Sequence, residues 1–315
     1  MHDDKRIYID IMLSFHCKKE CPYCYLGHLR NNEQKVSPRE IDARLAELWE
    51  HGYHAGNIEI YGGDMALLPK EYINEVIQIC RKYTDFVTAI GNPWKIYDPQ
   101  HYKNVVSINK ERKDYFNNIT ELCENSHLDV ITVALPDEMD EDPVYFLDRY
   151  QGSTGSLFII PYFQSVYNTE CHHTLTNKEY CEFLIRIIDA YIDREYTFNL
   201  ANIGILEDAR NGQYNPFADG SIYIGPDGRL GRPKYTEDLK EYFEWYDSVA
   251  EWEEDTLKER REAIETCGTC EYYGKCIADH MRPFAKDDVC CGYKPLVKWW
   301  EENRERFSVK GQRQV

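Results

Sequence analysis

The sequence predicts an α/β fold: a parallel sheet covered by helices, followed by a smaller cysteine-bearing unit. Two observations carry that prediction. From Arg6 to about Pro161, β-like runs alternate with helical patterns, and each parallel crossover needs such an intervening segment. Of the 12 cysteines in the 315 residues, three follow the first β-like run and five lie near the C-terminus.

The β-like runs are 6–13, 57–61, 85–91, 104–108, 128–134 and 156–161. Helical patterns fall between them at 38–51, 69–83, 112–125 and 143–150. Ser37-Pro38 supplies an N-cap and a proline at the first helical position, and Ile41, Leu45, Leu48 and Trp49 recur at helical spacing. Further on, 176–193 reads as a helix with Phe183, Leu184, Ile187, Ile188 and Tyr191 on one face. Glu195–Leu206 is expected to be a strand, and 221–232 a hairpin turning at Pro226-Asp227-Gly228. A long helix is expected over Thr236–Glu265, its stripe Leu239, Tyr242, Phe243, Tyr246 and Val249 facing the body. The stretch 292–307, with Trp299-Trp300, reads as a docking helix. The expected division is 1–205 and 206–315.

A formal charge of −18 argues against a general nucleic-acid binder, which needs a basic face for phosphates. It leaves room for a basic peptide or a small cationic substrate. No signal-peptide core and no run of eighteen apolar residues is present, so a soluble cytoplasmic protein with no membrane partner is expected. In that compartment cysteines read as metal ligands and reduced thiols.

In parallel α/β architectures the functional loops follow the C-terminal ends of strands. After the first strand comes Cys17-x3-Cys21-x2-Cys24. Three thiolates are one short of a closed structural zinc or iron–sulfur site, so a fourth ligand comes from elsewhere or one metal position stays open. A zinc knuckle or a buried thiol cluster is the plainer reading. After the second strand stands Gly62-Gly63-Asp64, where glycines let backbone approach a ligand and a carboxylate can bind an ammonium. After the fifth strand, Asp137, Glu138, Asp140, Glu141 and Asp142 form either a solvated loop or a collar for a cationic substrate. Cys171-His172-His173 reads as a loop detail. Near the C-terminus, Cys267-x2-Cys270-x5-Cys276 with Cys290-Cys291 has enough thiolates to close a metal site, a zinc ribbon being the generic form.

The first cysteine loop resembles that of the radical S-adenosylmethionine (SAM) superfamily, in which three Cys hold a 4Fe–4S cluster whose fourth iron is chelated by SAM. The resemblance implies a partial (β/α)6 barrel, with Tyr23 packing near the adenine and Gly62-Gly63-Asp64 standing where a Gly-Gly-Glu motif receives the SAM amino group. It further implies that Asn92, after the third strand, and Ser107 and Asn109, at the end of the fourth, contact SAM. An electron donor such as flavodoxin or ferredoxin is implied as a partner.

The C-terminal cysteines resemble the SPASM extension of radical SAM maturases of ribosomally made peptides. Pro233 stands where that extension opens with a cysteine, and His280 at the last cysteine of its run. The resemblance therefore implies one auxiliary 4Fe–4S cluster, held by Cys267, Cys270, Cys276 and either Cys290 or Cys291, in a small C-terminal auxiliary-cluster domain. The expected function is reductive cleavage of SAM to a 5′-deoxyadenosyl radical and hydrogen abstraction from a substrate, a precursor peptide being the first choice. Alternatives are a small molecule such as a sugar nucleotide or aminoglycoside, or a non-catalytic zinc protein.

Overall fold

Ile7, Ile9 and Ile11 are buried while Tyr8 and Asp10 between them are more exposed, the two-residue period of a strand with one face on a core. This strand, β1 (Lys5–Met12), starts a run of six parallel neighbours in chain order. The others are β2 (Tyr53–Tyr61), β3 (Val87–Gly91), β4 (Lys103–Ser107), β5 (Asp129–Ala134) and β6 (Ser156–Pro161). The structure, a computed structural model, describes residues 5–91, 103–107, 129–152, 154–162, 165–168, 175–212, 220–233, 243–273, 275–277 and 293–307. The helix expected over 112–125 lies outside them.

Helices α1 (Pro38–Glu50), α2 (Lys70–Cys80) and α3 (Pro143–Asp148) cover the sheet between strands. α1 starts as its sequence requires: the Glu40 N–H donates to Ser37 Oγ at 3.1 Å and the Ser37 N–H to Glu40 Oε2 at 2.8 Å. Ile41, Leu45 and Leu48 then pack with Ile73, Val76 and Ile77 of α2 onto the isoleucines of β1 and β2. A second apolar cluster lies under β5 and β6, where Phe146 and Leu147 of α3 meet α4 (Asn177–Asp193) through Phe183, Leu184, Ile187 and Ile188.

The remaining elements extend both edges of the sheet. Beyond β6 lies β7 (Asn199–Leu200), and beyond β1 lie β8 (Ser221–Ile224), β9 (Leu230–Pro233) and β10 (Phe243–Tyr246). Among the described residues ten strands run β10-β9-β8-β1-β2-β3-β4-β5-β6-β7 and leave the sheet open, as a partial barrel requires. β8 pairs in parallel with β1, so the expected boundary near residue 206 does not interrupt the sheet. α6 (Val249–Cys267) and α7 (Lys294–Asn303) follow among the described residues, burying Trp252 and Trp300 in the two clusters. No helix among the described residues is long and apolar enough to cross a membrane.

Two expected elements differ. The strand expected over Glu195–Leu206 is only two residues long, and α5 (Ala201–Arg210) follows it. Its Asn202 takes the place of a neighbouring strand, accepting from the Ile159 N–H at 2.9 Å and donating to the Ile159 carbonyl at 2.8 Å. That satisfies the β6 edge where β7 ends, and Leu206 and Ala209 bury the same helical face. The helix expected over Thr236–Glu265 begins only at Val249, because Phe243–Tyr246 pairs with β9. Aromatic residues suit a pleated surface, and the Trp245 ring lies against Gly225 and Gly231, where any side chain would collide with it.

Candidate active site

The cysteine loop is fixed at its root by backbone. Past β1, the Leu13 N–H donates to the Tyr61 carbonyl at 2.8 Å and the Val36 N–H returns to the Leu13 carbonyl at 3.2 Å. Ser14, 4% exposed, donates its hydroxyl to the Gln34 carbonyl at 2.8 Å and accepts the His16 N–H at 3.1 Å. From the end of β2, the Gly63 N–H reaches the Ser14 carbonyl at 2.7 Å and the Asp64 N–H reaches the His16 carbonyl at 2.8 Å. A Cβ on Gly63 would lie 2.2 Å from the His16 oxygen, and one on Gly62 would lie 2.5 Å from the Ser14 oxygen. The two glycines therefore admit the protein's own cysteine loop. The close approach anticipated for a ligand is made by the chain itself.

Within the loop, Cys17, Cys21 and Cys24 are half-buried and none is in a disulfide. The Cys17 N–H is held by the Arg30 carbonyl at 2.9 Å, and the Cys24 N–H by the Cys21 carbonyl at 3.0 Å. The Lys19 N–H points at Cys17 Sγ at 3.4 Å, a donor suited to a thiolate. Tyr23 is 8% exposed and belongs to the cluster under β5 and β6, against which Cys21 also packs. The loop thus has its root on one apolar cluster and its tip on the other. Its ring is a core anchor, which restricts any adenine contact to the small accessible part.

The tip is also tied by polar contacts to the segment Ser165–Asn168 that follows β6. Asn168, fully buried, donates its side-chain amide to the Tyr23 carbonyl at 3.0 Å. Its Oδ1 accepts from the Ser165 N–H at 2.8 Å and the Tyr162 hydroxyl at 2.7 Å. Tyr167 stacks on His28 with ring centroids 3.8 Å apart, and desolvation lowers the His28 pKa from its ordinary value.

Asp64 is 7% exposed and caps a short 3₁₀ turn, Met65–Leu67, by accepting the Ala66 N–H at 3.2 Å. Ser107 stands half-buried at the end of β4, paired in register with Ile131 of β5. Asn92, Asn109, Cys290, Cys291, His280 and the Cys171-His172-His173 run lie outside the described residues.

Sequence reading missed a polar group on the sheet face turned away from the helices. Asp10 of β1 sits in register with Glu59 of β2 on one side and Tyr223 of β8 on the other. Burial and the Glu59 charge push the Asp10 carboxyl well above its ordinary range, against the lowering effect of a Tyr223 hydrogen bond. Asn57 donates to Glu59 at 3.1 Å, and Tyr61 and Phe243 flank Tyr223 at ring distances of 6.5 and 5.2 Å. The alternation of β1 and β2 marks Asp10 and Glu59 only as the polar half of each strand, and the pairing with β8 is what brings Tyr223 beside them.

The acidic loop after β5 is largely engaged within the protein. Glu138, 1% exposed, accepts the Leu135 N–H at 2.9 Å and pairs with Arg149 at 3.2 Å; Glu141 pairs with the same guanidinium. Asp142 caps α3, accepting the Val144 and Tyr145 N–H groups at 2.9 and 3.0 Å. Asp137, Asp140 and Asp142 are the exposed members. The five carboxylates therefore do not stand as one free collar: Glu138 is buried against Arg149, which also holds Glu141, and Asp142 is taken up by the helix cap.

Cys267 ends α6, and Cys270 follows in a turn closed by its N–H to the Cys267 carbonyl at 2.8 Å. Cys276 packs against the cluster that holds Tyr23. Among the described residues no three His, Cys, Asp or Glu side chains converge tightly enough to hold a single metal ion.

No family model matches the chain, and no curated protein matches it. The fold does match solved structures, several of them with S-adenosylmethionine bound. The structure of native anSMEcpe with bound AdoMet and the Cp18Cys peptide superposes with a TM-score of 0.65 at 13% identity, covering 98% of this chain and 100% of that one. Streptococcus suis SuiB bound to S-adenosylmethionine gives 0.61 at 13% identity, over 87% of this chain and 72% of SuiB. SuiB bound to the precursor peptide SuiA gives 0.54 at 12% identity, over 72% of this chain and 59% of SuiB. The chain shares its fold with these S-adenosylmethionine-bound structures.

Proposed function

We propose that the chain is a radical SAM enzyme that modifies a ribosomally made peptide. One observation carries the reading: in a chain with this fold, a three-cysteine loop leaves the first parallel strand and is hydrogen-bonded at its root to Gly62-Gly63-Asp64 at the end of the second. The residues fit a cluster. Cys17, Cys21 and Cys24 are half-buried on one loop with an N–H directed at sulfur, and three thiolates leave a coordination position for SAM. A lone zinc needs its donors on one centre, whereas a cluster spreads its thiolates over separate irons.

When bound, the cluster and SAM supply reductive cleavage to a 5′-deoxyadenosyl radical and hydrogen abstraction. The chain's own residues then bind and orient. The Asp64 carboxylate receives the SAM ammonium while its 3₁₀ cap holds it in place. Tyr23 anchors the loop, and Ser107, with Asn92 and Asn109, is assigned to SAM. Cys267, Cys270, Cys276 and one of Cys290 and Cys291 hold one auxiliary 4Fe–4S cluster in the C-terminal unit, with flavodoxin or ferredoxin as electron donor.

The peptide substrate is supported by likeness to SuiB, solved with its precursor peptide SuiA, and to anSMEcpe, solved with the Cp18Cys peptide. The acidic loop, engaged by Arg149 and by α3, gives no support to a small cationic substrate. Iron, sulfide and zinc analysis of anaerobically reconstituted protein tests the reading. It predicts about eight irons, and about four after Cys267, Cys270 and Cys276 are changed to Ala. About four irons with one zinc would make the C-terminal group a zinc ribbon, and zinc alone would overturn the whole assignment.

A further inference from the structure

The geometry points to Asn168 as a positioning residue that locks the cluster loop across the mouth of the open sheet. The inference rests on reading Cys17, Cys21 and Cys24 as the cluster site. β1 and β6 stand at opposite ends of the six-strand parallel run, and no direct strand pairing joins them. The loop leaving β1 must nevertheless present three sulfurs in a fixed arrangement. Its root is held by β2, but Tyr23, between Cys21 and Cys24, lies at the other side of the mouth, in the cluster under β5 and β6.

Asn168 makes the polar half of that crossing. Its Oδ1 is engaged by two donors, the Ser165 N–H and the Tyr162 hydroxyl, so its orientation is determined: a flipped amide would set N–H against N–H. The remaining group, Nδ2, therefore points at the Tyr23 carbonyl. Tyr162 is 1% exposed and follows β6, and its hydroxyl also donates to the Asn168 carbonyl at 3.0 Å. The position of β6 is thereby transmitted through Tyr162 and Asn168 to the peptide between two ligands. The stack of Tyr167 on His28 adds an outer tie to the chain just past Cys24.

Asn168→Asp separates this role from general packing. Ionised, the carboxylate still accepts from Ser165 and Tyr162 but sets an oxygen against the Tyr23 carbonyl, so the tie to the loop is lost, while the cost of the buried charge itself is common to all the cysteines. In apo protein, alkylation of Cys21 and Cys24 by iodoacetamide, followed by mass spectrometry, should speed up about fivefold to thirtyfold, the range for one lost buried hydrogen bond. Cys267 and Cys270 should react at the parent rate. In reconstituted protein, iron loss to a chelator should accelerate at the same site. Unchanged rates at Cys21 and Cys24 would overturn the inference, and so would equal acceleration at all the cysteines, which is what plain destabilisation gives. Should the variant not fold, hydrogen exchange in the parent decides: the Ser165, Asn168 and Cys24 amides should open as one unit, and independent opening would overturn the lock. The thiol and exchange measurements need no cluster, so they stand apart from failure of the radical SAM reading, which iron analysis reports.

Discussion

Replacing Gly63 by Ala tests whether the glycine pair serves the cysteine loop. The new Cβ would lie 2.2 Å from the His16 carbonyl oxygen and 2.5 Å from that of Phe15. Carbon–oxygen contacts begin near about 3.3 Å, so loop and strand end must separate by about 1 Å. At that separation the Gly63–Ser14 and Asp64–His16 hydrogen bonds, now 2.7 and 2.8 Å, pass out of bonding range. Overpacking costs about 1–3 kcal/mol and each bond about 1 kcal/mol. Moving the loop relieves the clash by breaking the bonds, so the two costs overlap and about 2–3 kcal/mol is expected. Urea denaturation of metal-free protein measures it, with hydrogen exchange at residues 63 and 64 reporting the local effect. Gly27→Ala is the control, since nothing lies within 4 Å of a Cβ there, and it should stay within about 0.5 kcal/mol of the parent. Parent-like stability and amide protection in Gly63→Ala would refute the reasoning.

Two further outcomes follow from the site. Asp64→Asn keeps a capping oxygen but loses the charge, so it should leave stability near the parent's while weakening SAM binding by about 1.5–3 kcal/mol in calorimetry; equal SAM affinity would remove Asp64 from the site. Asp10, its folded pKa raised by burial and Glu59, keeps its proton at pH values where the unfolded side chain has lost it. Its contribution to stability is therefore present in acid and is lost as pH rises through the folded value, and Asp10→Asn should gain on the parent in denaturation midpoints as pH rises above the ordinary carboxylate range. A difference between the two that does not change with pH would contradict this.

What could be read from the sequence was what neighbouring residues decide. The capping box of Ser37 and Glu40, the alternation of β1 and the spacing of Cys17, Cys21 and Cys24 are local patterns, and each corresponds to an observed element or loop. β10 was hidden because Phe243, Tyr246 and Val249 also fit a helical stripe, and only its pairing with β9 decides for a strand. α5 depends on Asn202 satisfying the β6 edge, a contact with residues far off in sequence. The same holds for the site. Gly62 and Gly63 acquire their role from Ser14 and His16, Glu138 from Arg149, and Tyr23 from Asn168. Asp10 and Glu59 look like solvent-facing strand residues until the sheet turns their face inward.

The most direct test of radical SAM chemistry is formation of 5′-deoxyadenosine. Anaerobically reconstituted protein, reduced with dithionite in the presence of SAM, should form it, as measured by liquid chromatography and mass spectrometry. Changing Cys17, Cys21 and Cys24 together to Ala should abolish it and remove about four irons. SAM cleavage that continues undiminished in that variant would contradict the account.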